Sequence, residues 1–187
     1  MAALATIDDL KQLLQVEDSK DDDLLGRLLV AASAWLATQC GYPNASMTEQ
    51  DLVLTFSGED TRGWTPPVLP IADVTKVTVD DVEIPEKATG VDGWYVSDVG
   101  RLELSGSYRF TRGAGNCIVE ATCGFSPTAV PSDLEAAALS LAAQRFQERN
   151  RIGQVSGNVG GVQVTFSTFS APADVNLTIQ AYRLGSI

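Results

Sequence analysis

The residues of this 187-residue chain best equipped for chemistry are carboxylates, and they lack the partners that would make them reactive. There are 24 Asp and Glu, 13 Lys and Arg, and no histidine. Without imidazole there is no Ser-His-Asp or Cys-His nucleophile pair, no usual zinc ligand set, and no common general base near neutral pH. Glu59 beside Asp60 and Asp80 beside Asp81 are carboxylate pairs, but in so acidic a chain neighbouring acids on solvated turns are expected, and they support a glycosidase poorly. Asp21, Asp22 and Asp23 could gather a cation. The glycine turn and distal glutamate of a calcium loop are missing, however, and a helix dipole accounts for three acids at a helix start. Gly113-Ala-Gly115 and Gly157-Asn-Val-Gly160-Gly161 lack the Gly-Lys-Ser/Thr ending of a phosphate loop, so they read as a turn and a hinge. Cys40, Cys117 and Cys123 are odd in number without metal-like spacing, which points to a reducing cytoplasm. Cys117 and Cys123 share a strand face but lie roughly 20 Å apart along it, too far to pair. No catalytic residue, cofactor or metal site is expected, and an enzyme is the last of the readings.

The charge layout says more. A net charge of −11 argues against tight phosphate binding, which runs on clustered Lys and Arg. Residues 1–23 hold Asp8, Asp9, Glu17, Asp18, Asp21, Asp22 and Asp23 against Lys11 and Lys20, a local net of −5. Residues 145–151 hold Arg145, Arg149 and Arg151 against Glu148, a local net of +2. An acidic end and a basic end on one protomer suit a heterologous, head-to-tail contact that closes into a ring. The expected seam pairs Arg145 or Arg149 with Asp21, Asp22 or Asp23 of a neighbour; the bland reading is that late-helix arginines only offset the dipole. No apolar run reaches the roughly 18 residues of a membrane span, and the N-terminus lacks signal-peptide features, so export is not expected.

The elements that position these charges predict an α+β fold: a helical bundle with an inserted antiparallel β-rich barrel or sandwich. Residues 1–43 form the N-terminal helical portion. Thr6 caps a short helix from Ile7 to about Gln15 with Leu10, Leu13 and Leu14 on one face. Ser19 stands three residues before Asp22 as a capping box for a second helix, whose stripe runs Leu24, Leu28, Ala31, Ala32, Trp35, flanked by Leu25, Leu29 and Leu36, and which Gly41 ends. Residues 44–126 change period, with strands at 52–56, 74–79, 82–84, 93–97, 101–104 and 117–123, a tight hairpin at Asp80-Asp81, and Phe56, Trp64 and Trp94 as core. Residues 127–153 form a long helix, capped by Ser132, with Leu134, Ala138, Leu141 and Ala142 inward, running to Ile152 and stopped by Gly153. In residues 154–187 a polar, glycine-rich hinge precedes the strand Val162–Phe166 and a last helix that Pro172 opens, with Val175, Ile179 and Tyr182 on one face.

The order of these pieces carries a resemblance. An Asp-rich start leads an Ala/Leu helix into Cys40-Gly-Tyr-Pro43. Pro67-Val-Leu-Pro-Ile71 precedes Val74-Thr-Lys-Val-Thr-Val-Asp80, and Val130-Pro-Ser-Asp-Leu134 opens the long helix. Ser156-Gly-Asn-Val-Gly-Gly-Val-Gln-Val-Thr-Phe166 and a helix ending Tyr182-Arg183 follow. Over nearly its whole length the chain resembles the tailed-bacteriophage head-tail connectors, or head-completion adaptors. The resemblance implies a non-enzymatic virion protein, made in the bacterial host cytoplasm and placed in the neck. There it would form a ring, commonly of twelve, between the portal protein and a tail-side stopper or tail component. It also implies a C-terminal arm that orders on the portal: Val162, Val164, Phe166, Phe169, Val175, Ile179, Tyr182 and Leu184, hinged at Gly153, Gly157, Gly160 and Gly161. DNA would pass through the acidic lumen without specific binding. Another neck or tail ring component, such as a stopper or terminator, is the next reading, and a β-rich ligand-binding module with helical flanks follows it.

Overall fold

A computed structural model of the protein describes residues 3–68, 70–149, 156–159, 162–165 and 171–184. The chain divides into two compact units, residues 1–47 with 130–183, and residues 48–129 with 184–187.

In the helical unit, α1 spans Ile7–Leu14. Thr6, extended, caps it by accepting the Asp9 amide at 3.2 Å, and Gln15 closes it in the left-handed region. Leu10 is fully buried but Leu13 is 54% exposed, so the inward face is narrower than the leucines suggest.

Helix α2, Asp22–Cys40, starts without the expected capping box: Asp21 precedes it and makes no side-chain cap. The Asp22 amide reaches only the Ser19 carbonyl, at 3.4 Å, while the Asp22 carboxylate accepts from Lys11 Nζ at 2.8 Å. A charge-assisted bond outcompetes the neutral one the box would supply. Gly41, at φ 84°, ends the helix with its amide on Ala37 and Thr38 carbonyls, as its position predicts.

The face that α2 buries is not the stripe read from its spacing. Leu25, Leu29, Ala32, Ser33, Leu36, Ala37 and Cys40 are buried; Leu24 is 38% exposed, Ala31 is exposed, and Leu28 and Trp35 are half-buried. Two leucine series offset by one residue compete, and the one carrying Ala32, Ser33 and Ala37 wins because small side chains let α3 approach closely with Ala137, Ala138 and Ala142. Ser33 is satisfied inside, donating to the Leu29 carbonyl at 2.8 Å and accepting the Leu4 amide at 3.0 Å.

Gly26 sits mid-helix where an added Cβ meets nothing within 4 Å. Gly26→Ala should therefore raise stability by about 0.5–1 kcal/mol through the backbone entropy it removes, measurable by urea denaturation.

Helix α3 covers Ser132–Glu148. Ser132 is its first residue rather than its cap, and Asp133 Oδ1 accepts the Leu134 amide at 2.9 Å. Leu134, Ala138, Leu141 and Ala142 are buried as expected, but the core then continues through Ala143 and Phe146 rather than toward Arg145 and Arg149. The described α-helix runs to Glu148, and Ile152, its expected end, lies outside the described residues; Arg149 donates to the Phe146 carbonyl at 2.8 Å with its guanidinium 3.8 Å from that ring, satisfying a last-turn acceptor. Gly153 lies outside the described residues.

Strands β8, Ser156–Val159, and β9, Val162–Thr165, pair antiparallel, so a stretch too glycine-rich to promise any shape forms a hairpin. Helix α4, Ala173–Tyr182, packs on α2 and α3. The strands are numbered through the chain, and β1–β7 belong to the β unit.

That unit has a four-stranded antiparallel sheet in the order β1 (Gln50–Gly58), β7 (Gly113–Cys123), β3 (Ile71–Val79), β4 (Val82–Ile84). A three-stranded sheet runs β2 (Gly63–Trp64), β6 (Leu102–Leu104), β5 (Trp94–Val96). The two sheets are sandwich-like and the described strands close no barrel. Along β7, Cys117, Val119, Ala121 and Cys123 alternate inward. Asp80 and Asp81, at φ 50° and 63°, make the left-handed two-residue turn between β3 and β4. Trp94 is buried. Phe56 and Trp64 are half-buried and stack at 4.0 Å and 2°, tying β1 of one sheet to β2 of the other, with the fully buried Phe110 edge-on to Phe56 at 5.2 Å.

Candidate interaction surfaces

The acids that might have served chemistry instead shape turns. Asp80 accepts the Thr111 hydroxyl and, at 2.9 Å, the Asn116 amide. These two bonds, Thr111 first, hold its carboxyl below the usual carboxylate range. A depressed folded pKa stabilises above the unfolded value, near pH 4, and that contribution is lost as pH falls through the folded pKa. Asp80→Asn should accordingly flatten the acid limb of a stability-versus-pH curve below about pH 4, followed by urea unfolding at stepped pH.

Glu59 and Asp60 line a shallow groove with Ser57, Gly58, Arg112, Gly113 and Ala114. Glu103 accepts from Tyr95 Oη at 2.6 Å. Cys40, Cys117 and Cys123 are buried free thiols, each pushed up chiefly by burial. Among the described residues no group of three or more His, Cys, Asp or Glu could hold a metal ion, and no helix is long and apolar enough to cross a membrane.

The two halves of the expected seam meet within one chain. Arg149 Nη2 lies 3.9 Å from Asp21 Oδ2, both side chains about 40% exposed, and Lys11 takes Asp22. Asp23 is exposed and borders a groove along α2 with Gly26, Arg27, Val30, Ala31 and Ala34. Arg145 is half-buried.

The residues expected to form one arm divide. Val162 and Val164 are in β9, and Gly157 stands opposite Val164 in β8. Phe166, Phe169, Gly160 and Gly161 lie outside the described residues. The helical half is docked on its own bundle: Val175 is fully buried, Cys40 Sγ donates to the Ile179 carbonyl at 3.9 Å, and Tyr182 Oη donates to Asp133 Oδ1 at 2.9 Å. Leu184 is half-buried.

One group escapes any linear reading. Arg62, Arg101, Arg109 and Arg112, dispersed over fifty positions around the β unit's short strands, are all exposed. Arg62 donates to the Gly106 carbonyl at 2.8 Å, Arg101 to Gly63 at 3.1 Å and Arg109 to Asp60 at 3.4 Å. Their only sequence signal is a concentration of arginine around 101–112 in an otherwise acidic region.

Comparison with curated proteins returned no match. Solved structures similar over the whole fold are a chain in the neck of an empty gene transfer agent (GTA) particle computed with C6 symmetry and one in the neck of a native GTA particle computed with C12 symmetry. The first has a TM-score of 0.64 at 22% identity over 100% of this chain and 94% of that one. The second has a TM-score of 0.61 at 20% identity over 97% and 89%. A chain from the virion of a native gene transfer agent particle aligns with a TM-score of 0.56 at 20% identity over 100% and 94%. The family described as "Head completion protein" matches residues 3–184, from before α1 to beyond α4, and so takes in both compact units. This chain belongs to the head completion protein family.

Proposed function

We propose that this structural, non-enzymatic protein forms a ring of twelve copies beneath the portal in the neck of a tailed-phage or phage-like particle. The ring completes the packaged head, offers the tail side its docking surface and leaves a channel for DNA. The observation that carries this reading is the family match over residues 3–184 together with a fold shared, along its whole length, with neck chains of six- and twelve-fold particles. With −11 per copy, acids lining the channel repel phosphate and let DNA slide.

The limb that meets the portal is built on the β8–β9 hairpin, with Val162 and Val164 on β9; Phe166, Phe169, Gly153, Gly160 and Gly161 of the expected limb lie outside the described residues. Helix α4, with Val175 inside and Ile179 and Tyr182 held against α2 and α3, anchors it. At the seam, Asp21, Asp22 and Asp23 face Arg145 and Arg149 of a neighbour. The internal Asp21–Arg149 contact is long and exposed, worth about 0–1 kcal/mol, and exchanges readily for the same pairing between subunits.

Native mass spectrometry of the chain with purified portal tests the reading. Wild type should assemble on portal. Val162→Asp with Val164→Asp should abolish portal binding with unchanged circular dichroism. A wild-type chain that stays monomeric beside portal would sink the reading, and rings that form but ignore portal would favour a tail-side stopper or terminator.

A further inference from the structure

We propose that the outer edge of β1 is a strand-docking site for β8 of a neighbouring copy, so that the β8–β9 hairpin extends the four-stranded sheet across the subunit boundary. The contact rests on the ring reading above and leaves β9, with Val162 and Val164, for the portal.

Strand β1 ends its sheet, with β7 as its one strand neighbour among the described residues, and it keeps an unbroken register from Gln50 to Phe56. The direction of its main-chain groups follows from the strands beside it. The Asp80 N–H donates to the Asn116 carbonyl at 2.9 Å, so Asn116, Ile118 and Glu120 turn their main-chain groups toward β3, and Cys117, Val119 and Ala121 turn theirs toward β1. The partners of those three, Phe56, Leu54 and Leu52, carry the β1–β7 ladder. Asp51, Val53 and Thr55 therefore present N–H and C=O to the open edge, where no described residue bonds them. The devices that blunt such an edge are missing: Gln50–Phe56 holds no proline, lysine, arginine or bulge. Its inward Leu52, Leu54 and Phe56 are only half-buried, where their β7 partners Ala121, Val119 and Cys117 are buried. The sheet's other edge differs, since β4 is three residues long, Glu83 on it pairs with Lys76 at 3.5 Å, and Pro85 follows directly. One more strand on β1 would bond its outward groups and cover its apolar row.

The chain also carries a ribbon that lacks a sheet. Among the described residues β8 and β9 pair only with each other, and an isolated two-stranded hairpin is at best marginally stable in water. Two residues separate Val159 from Val162, which makes these the hydrogen-bonded pair flanking the turn; by alternation Gly157 and Val164 bond next. Ser156 and Asn158 are left with their N–H and C=O on the outer edge of β8, the counterpart of Asp51, Val53 and Thr55 on β1. Main-chain pairing asks for no particular side chain. Residues 152–173 contain no charged residue, so the ribbon reaches Glu49 and Asp51 without repulsion, although the chain as a whole carries −11. An edge and a ribbon at different places on one chain join copies head to tail, the heterologous contact that a ring requires, whereas β1 laid on β1 is two-fold and closes a dimer.

The test uses the full chain, with portal where portal triggers assembly. Val53→Pro removes an outward N–H at a position whose side chain is 69% exposed, and proline is tolerated on an edge strand when the missing N–H faced away from the ladder. Thr55→Pro repeats the change one outward position on. Each should stay folded by circular dichroism and raise the concentration for half-maximal ring formation, read by native mass spectrometry, about tenfold or more; Asn158→Pro should do the same from the hairpin side. Hydrogen exchange of residues 50–57 reads the edge directly. In the wild-type monomer the amides of Asp51, Val53 and Thr55 should exchange fast, and in the ring about tenfold or more slower, a protection that Asn158→Pro rings formed at higher concentration should lack. Proline variants that assemble like wild type overturn this contact while leaving the ring standing. Full protection already in the monomer assigns the edge to the same chain, and protection that survives Asn158→Pro assigns it to another segment, the portal's included; either overturns the proposal. Dimers abolished by Val53→Pro assign the edge to β1 of a second copy and overturn it too. If the proline variants unfold, the wild-type exchange decides alone. A wild-type chain that never assembles overturns the ring and the contact together.

Discussion

Phe110→Ala should destabilise the β unit by about 3–5 kcal/mol, the range for emptying a buried aromatic site. Phe110 is fully buried, and its ring meets the edge of Phe56, which in turn stacks on Trp64. Its backbone bonds, the amide to the Thr61 carbonyl and the carbonyl to the Asp60 amide, both 2.8 Å, survive the substitution. The loss is therefore one of packing: a cavity opens beneath the aromatic stack that joins the two sheets, and relaxation is limited by strands hydrogen-bonded on either side. Urea titration followed by tryptophan fluorescence measures it, with Trp64 reporting locally. Val53→Ala, at a position 69% exposed on β1, is the control and should change stability by no more than about 0.5 kcal/mol. A loss at Phe110 under about 1 kcal/mol would show that the stack does not hold the sheets together.

Val175→Asp should detach α4. Val175 has no exposed surface, and an unpaired carboxylate there costs several kcal/mol, more than one ten-residue helix gains by docking. The bundle's remaining core, Leu25, Leu29, Leu36, Leu134 and Leu141, is untouched. Cys40 reports the event, because its thiol lies against the Ile179 carbonyl; burial raises its pKa while the Arg183 charge works the other way. Alkylation with iodoacetamide and peptide mapping should show Cys40 protected in wild type and labelled at least about tenfold faster in the variant. Cys117 and Cys123, inward on β7, should stay protected in both. Equal Cys40 labelling in the two proteins would mean that α4 is not held where the structure puts it. The same readout on wild-type protein bound to portal distinguishes a moving hairpin, with Cys40 protected, from a moving hairpin and helix together.

How far the sequence could be read depended on the range of the forces involved. Thr6 and Gly41 bound their helices where their side-chain and backbone chemistry predicts, and Asp80-Asp81 turns the chain between two strands, because a cap or a tight turn is settled by neighbouring residues. The capping box at Ser19 failed for a reason a local pattern cannot contain: Lys11, eleven residues away, claims the Asp22 carboxylate. The two-residue strand β2 was too short to show any period, yet it supplies the Trp64 side of the stack.

The larger misreading was of α2. Leu24, Leu28, Ala31 and Trp35 recur at helical spacing as faithfully as Leu25, Leu29, Ala32 and Leu36, and periodicity has no means of choosing between them. Packing chooses, through the close fit of small residues on α2 and α3. Likewise Arg145 and Arg149 look like a continuation of the core stripe only until Phe146 takes that place.

The sequence by itself determined the composition-level exclusions, the α+β order of elements, the local starts and stops, and the ordered set of segments by which the family is recognised. Each of these is written in residues close together or in their succession along the chain. Tertiary structure alone decided which face of α2 is covered, that α4 closes on its own bundle, and that Arg149 finds Asp21 in the same chain. Those outcomes depend on pairings between positions tens of residues apart, whose partners compete on packing and charge only once the backbone has brought them together.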